Sequence, residues 1–164
     1  MKTAIFYGST TGTTAAVAKR IARAAGVADS DIFDVAKADP AKLGEYDLLI
    51  LGTPTWGSGE LQDDWYDFVA GAEALDMTGK KIALFGCGDE TMSGTFCSAV
   101  GELYDRMVKT GAKFVGSFTA APYDYNSSDA VRGNDNIAVG LLLDEVNHPE
   151  LTDARIAEWV KTIK

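Results

Sequence analysis

The chain has 164 residues, of which 46% are hydrophobic and 24% are charged. A chain of this length is expected to fold as one domain over residues 1–164, and its longest apolar runs are too short to cross a bilayer. Its 24 acidic and 15 basic side chains give a net charge of −9, which disfavours nucleic acid and anionic membranes as partners. Because no apolar leader precedes the first strand, we expect a cytoplasmic protein, a monomer, with basic-surfaced protein partners.

Short apolar runs alternate with helical patterns along the chain, which is typical of βαβ units. The predicted strands are residues 3–7, 31–35, 47–52, 81–85, 114–118 and 137–143, and the predicted helices are residues 12–25, 61–69, 95–109 and 152–163. Uninterrupted apolar runs such as residues 48–51 favour parallel strands that are covered by helices on both faces. The sequence therefore predicts an α/β fold with a doubly wound parallel sheet.

A polar, turn-rich stretch over residues 119–129 separates the last two predicted strands. It is too long for an ordinary connection, so we interpret it as an insertion that interrupts the fifth strand of the sheet. Its Tyr123 and Tyr125 are either partner contacts or packing residues. The last helix is predicted to be capped by Thr152 and to bury Trp159.

The loop after the first strand is dense in hydroxyl groups and contains no Lys or Arg: Ser9, Thr10, Thr11, Gly12, Thr13 and Thr14. A turn from strand to helix points free backbone N–H groups and the positive end of the helix dipole at one spot. The glycine-lysine pair of a P-loop and the GxGxxG fingerprint are both absent from this segment. The pattern favours a terminal phosphate monoester as ligand, and a simple Ser/Thr helix cap is the alternative.

Two further loops follow the third and fourth strands, at residues 53–61 and 86–94, and would share one edge of a parallel sheet with the first loop. Trp56 offers an indole plane for stacking on a flat ligand, worth about 0.5–1.5 kcal/mol beyond area burial, or else it packs in the core under its own loop. The glycines of these loops give backbone groups access to a heterocycle edge, or are turn glycines only. Together, the three loops predict a site for a phosphate joined to an aromatic ring system.

In combination, residues 9–14, 54–62 and 86–89 resemble the flavodoxin family, and the resemblance covers the whole chain. Residues 140–147 and 151–156, together with the inserted stretch, are similar to the long-chain branch of that family. The resemblance implies non-covalently bound FMN, the strand order 2-1-3-4-5 and an electron carrier of low potential that transfers one electron at a time. It implies a flavin or iron-sulfur reductase as donor, and nitrogenase or a biosynthetic enzyme as acceptor.

Carried over by resemblance, residues 9–14 hold the phosphate. The isoalloxazine is then flanked by residues of the second and third loops: Thr55, Trp56, Gly57, Ser58, Gly59, Cys87, Gly88 and Asp89. The peptide between Gly57 and Ser58 is implied to rotate on reduction and to stabilise a neutral semiquinone. Flavodoxins usually place a Tyr over the outer face of the flavin. Here Met92 is the nearest substitute, and its thioether covers less area than a phenol ring.

Two other function classes remain open at this stage. An FMN-dependent quinone or NAD(P)H oxidoreductase on the same fold needs a substrate pocket over the flavin, and a flavin-free receiver domain needs acidic residues at the end of the first strand. His148, the single histidine, is interpreted as a surface turn residue, and Cys87 and Cys97 as small buried thiols. No metal-ligand spacing is present.

Acidic residues surround the predicted site: Glu60, Asp63, Asp64, Asp67, Asp89 and Glu90. Their summed field is predicted to oppose a negative charge on the reduced flavin and to attract basic partners, and salt should weaken both effects.

Overall fold

The computed structural model describes residues 1–56, 60–92, 94–133 and 135–163. The helices are α1 Thr13–Ala25, α2 Asp63–Ala72, α3 Ser98–Met107 and α4 Pro149–Ile163. The strands are β1 Thr3–Tyr7, β2 Ile32–Asp34, β3 Leu48–Trp56, β4 Glu60–Leu61, β5 Lys81–Cys87, β6 Lys113–Val115, β7 Phe118–Thr119, β8 Ile137–Ala138 and β9 Leu141–Leu143.

The central sheet is parallel, in the order β2-β1-β3-β5-β6, and β9 also pairs in parallel with β5. Strand β6 pairs with the first half of β5, where Lys113 faces Lys81, and β9 pairs with the second half, where Leu141 faces Phe85. Two short strands therefore fill the fifth position of the sheet. The strand order and the interruption of the fifth strand are both confirmed.

Helices cover both faces of the sheet, as the apolar strand runs predict. On one face, α1 and α4 bury Val17, Ile21 and Trp159 against the sheet, and on the other, α2 and α3 bury Phe68 and Leu103. The buried positions of α1 recur every three or four residues, because the apolar stripe of a helix repeats once per turn. The predicted burial of Trp159 is confirmed, and its indole N–H donates to the carbonyl of Gly116 at 2.7 Å.

The segment predicted as one strand over residues 137–143 is divided in two. Strand β8 pairs antiparallel with β7 in a separate two-stranded sheet, and only β9 returns to the central sheet. The chain bends between them at Gly140, which lies directly against the backbone of Leu84. A side chain at this position would overlap that backbone, so the close approach requires glycine.

Helix α4 begins at Pro149, one turn before the predicted cap at Thr152. Proline suits the first turn of a helix because it has no N–H to leave unpaired. The hydroxyl of Thr152 instead donates to the carboxylate of Glu145 at 2.8 Å. The sequence pattern therefore identified the helix but placed its start incorrectly.

The inserted segment is held to the rest of the protein by Arg155 of α4, whose residue surface is only 7% exposed. Its guanidinium donates to the carbonyls of Ala121 at 2.7 Å, Thr119 at 2.8 Å and Leu142 at 3.1 Å. Its centre also lies 4.6 Å from the Tyr123 ring centroid, within cation–π range. Burial lowers the pKa of Arg155, yet carbonyls and aromatic rings compensate part of the desolvation of its charge.

The two tyrosines of the insertion pack inward against Phe96. The ring centroids of Tyr123 and Tyr125 lie 5.3 and 5.2 Å from that of Phe96. Packing therefore accounts for both side chains. Across the described ranges, none of the four helices is long and apolar enough to cross a membrane.

Replacing Arg155 with Met should lower the free energy of unfolding by about 3 kcal/mol, because the carbonyls of Thr119, Ala121 and Leu142 would lose a charged, largely buried donor. Urea denaturation measures the change. The matched control is Arg23→Met, which alters an exposed arginine of α1 and should shift stability by less than about 0.5 kcal/mol. Equal effects of the two substitutions would contradict the role of Arg155.

Candidate functional site

The carboxyl ends of β1, β3 and β5 lie side by side and bring the three predicted loops together. In the strand register, Tyr7 faces Gly52, and Thr53 faces Gly86. The first residue after β1, Gly8, donates its N–H to the carbonyl of Gly52 at 3.1 Å. The first loop therefore starts beside the middle of β3, while the second and third loops leave neighbouring strands at the same edge.

The first loop folds back on itself before helix α1. The Ser9 hydroxyl accepts a hydrogen bond from the N–H of Gly12 at 3.1 Å. Gly12 precedes the helix with φ +94°, a left-handed conformation that glycine adopts without steric cost. Among the described residues, no side chain caps α1, and its first turn holds no acidic residue. The helix-cap alternative is therefore not what the structure shows.

The amino end of α1 consequently presents unpaired donors to the loop edge. The first N–H groups of a helix have no partner within the helix, and here no described side chain accepts from them. Residues 10–13 are exposed, Ser9 is half-buried and Thr14 is buried. The arrangement is that of an anion site built from neutral donors.

Thr14 carries a buried hydroxyl that has no hydrogen-bond partner among the described residues. The Cys87 thiol lies close enough to Thr14 to influence its own titration, but the two groups do not meet normal hydrogen-bond geometry. Burial raises the pKa of Cys87 to about 12. The thiol is thus neutral, and both Cys87 and Cys97 are buried and free, as predicted.

Gln62 connects the first loop to helix α2, a role that the sequence did not reveal. Its side-chain amide donates to the Thr10 hydroxyl at 3.1 Å, and its carbonyl oxygen accepts the N–H of Asp64 at 3.1 Å. One buried amide therefore caps α2 and positions the hydroxyl loop. A polar residue immediately before a helix was the available signal.

The second loop is anchored at Thr55, whose hydroxyl accepts the N–H of Ala99 from the first turn of α3 at 3.1 Å. The backbone of Trp56 pairs with Glu60 in a short antiparallel contact. The predicted site residues Gly57, Ser58 and Gly59, and the side chain of Trp56, lie outside the described part of the structure. Their predicted roles therefore remain predictions.

The third loop begins at the end of β5 with Cys87 and Gly88. The N–H of Gly88 donates to the carbonyl of Leu143 at 2.9 Å, so β9 continues to support the chain there. The Asp89 carboxylate accepts from the Thr91 hydroxyl at 2.6 Å and from the Asn147 side chain at 2.7 Å. The Thr91 hydrogen bond is the main reason that the pKa of Asp89 is lowered, so Asp89 is ionised.

Met92 lies farther along this loop and is 52% exposed. Its N–H donates to the carbonyl of Asp89 at 3.0 Å, which closes a turn. The thioether is therefore accessible at the protein surface.

Asp144 supports the third loop from the end of β9 and was missed as a site residue. Its buried carboxylate accepts the N–H of Glu90 at 2.9 Å, the N–H of Val146 at 2.9 Å and the side chain of Asn147 at 2.8 Å. Because β9 is parallel to β5, its carboxyl end lies at the same edge as the three loops. An acidic residue directly after a predicted strand was the signal that could have identified it.

His148 has more contacts than a simple turn residue. Its Nε2 lies 2.5 Å from Oε1 of Glu90, and its Nδ1 lies 3.4 Å from Glu150. The hydrogen bond with Glu90 is the largest cause of a raised pKa for His148. Across the described ranges, no group of three His, Cys, Asp or Glu side chains could hold a metal ion.

Comparison with known proteins places this arrangement in a family. The flavodoxin family model matches residues 5–159. Flavodoxin 1 of Escherichia coli K12 is 44% identical over 98% of this chain and 92% of its own. The flavodoxin of Synechococcus elongatus is 41% identical over 99% of this chain and 96% of its own.

The same similarity holds for solved structures. A crystal structure of Fusobacterium nucleatum flavodoxin, bound to flavin mononucleotide, superposes with a TM-score of 0.87 at 33% identity. It covers 98% of this chain and 96% of that one.

The sheet order, with three loops at the carboxyl ends of β1, β3 and β5, defines a doubly wound α/β protein. With the matches above, the chain belongs to the flavodoxin family. Flavodoxins are electron-transfer proteins that carry FMN, so the family confirms the predicted carrier role and FMN as cofactor, and favours neither the enzyme nor the receiver alternative.

Proposed function

We propose that this protein holds FMN at the loop edge and carries one electron at a time, at low potential, between protein partners. The observation that supports this most directly is the amino end of α1, which no described side chain caps and whose second residue, Thr14, carries a buried hydroxyl with no partner among the described residues. Bound FMN would supply the one-electron chemistry, and the protein would set its affinity and potential.

The phosphate would be held by residues 9–14. The unpaired first-turn N–H groups, the helix dipole and the surrounding hydroxyls are all donors or positive ends of dipoles, which suits a phosphate. Thr14 gives a specific fit, because a buried hydroxyl without a partner normally costs about 1–3 kcal/mol and a ligand oxygen would remove that cost. Ser9 shapes the loop through Gly12 and leaves the later donors free.

The isoalloxazine would lie between the second loop at residues 55–59 and the third loop at residues 87–89, with Met92 at its outer side. Both loops are anchored to neighbouring elements, the second by the hydrogen bond of Thr55 to α3 and the third by the hydrogen bond of Asp144 to the N–H of Glu90. Anchored loops lose little conformational freedom on binding, so a flat ring can be bound between preformed walls.

A low potential follows from the charges around the site. The three loops contain no Lys or Arg, whereas Glu60, Asp63, Asp64, Asp89 and Glu90 lie in or beside them. A carboxylate about 10 Å from a developing negative charge raises its free energy by about 1.7 kcal/mol at an effective dielectric of about 20. For one electron this corresponds to roughly 70 mV per carboxylate before salt screening.

The same acidic side chains would attract basic-surfaced partners. Residues Asp63, Asp64 and Asp67 lie on the first turns of α2, next to the second loop. A flavin or iron-sulfur reductase is proposed as donor, and nitrogenase or a biosynthetic enzyme as acceptor. Their association should be fast at low salt and slow as ionic strength rises.

Replacing Thr14 with Val tests the phosphate site. FMN affinity should fall by about tenfold, because one hydrogen bond to a charged phosphate is lost. Stability of the apoprotein should stay unchanged or rise, because the hydroxyl has no partner to lose. Equilibrium dialysis and urea denaturation measure the two quantities.

The matched control is Thr152→Val, which removes a buried hydroxyl that does have a partner, Glu145. It should lower stability by about 1 kcal/mol and leave FMN affinity unchanged. No FMN binding by the unaltered protein, or equal FMN affinity of the Thr14 variant, would refute the proposal.

Replacing Met92 with Tyr should tighten FMN binding by up to about tenfold and lower the midpoint potential for adding the second electron. A phenol ring covers more of the flavin face than a thioether, and aromatic stacking is worth about 0.5–1.5 kcal/mol beyond area burial. FMN titration of the apoprotein and potentiometry are the measurements. Val146→Tyr, at another exposed apolar residue, should change neither. If Met92→Tyr also changes neither, Met92 does not adjoin the ring.

A further inference from the structure

We propose that Glu90 is a positioning residue for the third loop, and that protonation of His148 sets how firmly Glu90 holds that loop for FMN. The inference rests on the proposed FMN site, because Glu90 would position the third loop, which is proposed to flank the isoalloxazine. Glu90 itself acts through the loop and need not contact the flavin.

Glu90 joins the third loop to two segments that are distant in sequence. One carboxylate oxygen accepts the N–H of Asp124 from the insertion at 2.8 Å. The other lies 2.5 Å from Nε2 of His148, in the turn between β9 and α4. Its backbone N–H donates to Asp144 at 2.9 Å. We call these contacts the Glu90 link.

The link is sheltered enough to hold the loop. The Glu90 side chain is only 11% exposed, while the His148 side chain is 34% exposed and can exchange protons with solvent. Glu90 directly follows Asp89, one of the residues proposed to flank the ring. A shift of the Glu90 carboxylate would therefore be transmitted to the neighbouring backbone of the proposed site.

The groups that face His148 favour its charged form. Glu90 approaches from the third loop, Glu150 from α4, and the Tyr123 ring from the insertion at 5.9 Å between centroids. Asp144 lies behind the turn and accepts the backbone N–H of His148 through its carbonyl at 3.1 Å.

The other groups on the insertion side do not reverse this preference. Burial raises the pKa of the Tyr123 phenol to about 12, so it is neutral. The Arg155 guanidinium lies 4.6 Å from the Tyr123 ring centroid, but its positive charge is not among the causes that shift the pKa of His148. Asp124 adds a further carboxylate at the surface next to the link.

The direction of the pH effect follows from these contacts. The hydrogen bond with Glu90 raises the pKa of His148 in the folded protein. The stabilisation by the charged link is therefore complete below the ordinary pKa of about 6.5 and is lost as pH rises through the higher folded value. Neutral His148 can still donate to Glu90, but a hydrogen bond between a neutral and a charged group is weaker than one between two charges.

Protonation of His148 and binding of FMN should consequently favour each other. If the charged link holds the loop in its FMN-binding arrangement, FMN must tighten proton binding by His148 by the same factor by which protonation tightens FMN binding, so the pKa of His148 rises when FMN binds. A purely structural hydrogen bond, independent of the cofactor, would leave that pKa unchanged between the apo and FMN-bound protein.

The first measurement is an NMR titration of His148, which is unambiguous because the chain has one histidine. In the FMN-bound protein its pKa should exceed the apo value, and Glu90→Gln should lower it in both forms. Glu150→Gln is the matched control, since it removes the more distant carboxylate and leaves the loop untouched. Its effect on the pKa should be smaller, and it should not alter FMN affinity.

The second measurement is FMN affinity from flavin fluorescence between about pH 5.5 and about pH 8.5, across the titration range of histidine. The FMN phosphate also titrates near pH 6. The quantity to compare is therefore the FMN affinity of the unaltered protein divided by that of the His148→Gln variant at each pH. This ratio should fall by about threefold as pH rises, because a charge-assisted hydrogen bond becomes a weaker one. His148→Gln also keeps the other contacts of Glu90, should Glu90→Gln fail to fold.

A constant ratio across this range, or equal pKa values for His148 in the apo and FMN-bound protein, would overturn the proposed role of the Glu90 link. Absence of FMN binding by the unaltered protein at any pH would instead overturn the proposed function, and this inference with it. Normal FMN binding with a constant ratio overturns the link alone.

Discussion

The uncapped amino end of helix α1 is the constraint on which the rest of this structure depends. A helix start normally satisfies its first N–H groups with a side-chain oxygen, and here Gly12 occupies the cap position with no side chain to offer. The Ser9 hydroxyl, which could have served, accepts from Gly12 instead. The donors stay available, and the adjacent buried Thr14 hydroxyl adds one more. Among the described residues these groups have no partner, and the proposed phosphate would supply one.

The remainder of the molecule places the second and third loops beside that helix end. Parallel pairing of β1, β3 and β5 sets the three loops side by side, because strands of the same direction end at the same edge. The insertion and β9 then support the third loop from behind. Arg155 attaches the insertion to β9, and Asp144 attaches the end of β9 to Glu90. Arg155 and Asp144, both buried and charged, thus hold the insertion and the third loop in place, and their hydrogen bonds compensate part of their desolvation.

The apolar runs and helical periodicity sufficed to predict the parallel sheet, the helices on both faces and the interrupted fifth strand, whereas the strand order came from the family resemblance. These features depend on local patterns and on general rules for parallel sheets. The division of residues 137–143 was not predicted, because Gly140 acts through a tertiary contact with the backbone of Leu84. The start of α4 was also misplaced, although Pro149 is a local signal for the first turn of a helix. The contacts of Gln62, Asp144 and His148 join residues that are tens of positions apart. No local pattern encodes such pairings, so only the folded chain reveals them.

The central claim is that neutral donors at the start of α1 bind the phosphate of FMN. Comparing the affinities of the apoprotein for FMN and for riboflavin, which lacks only the phosphate, tests this most directly. FMN should bind at least about a hundredfold more tightly, because several hydrogen bonds to a charged group are each worth about 1.5–3 kcal/mol. Equal affinities for the two flavins would show that the amino end of α1 does not hold the phosphate.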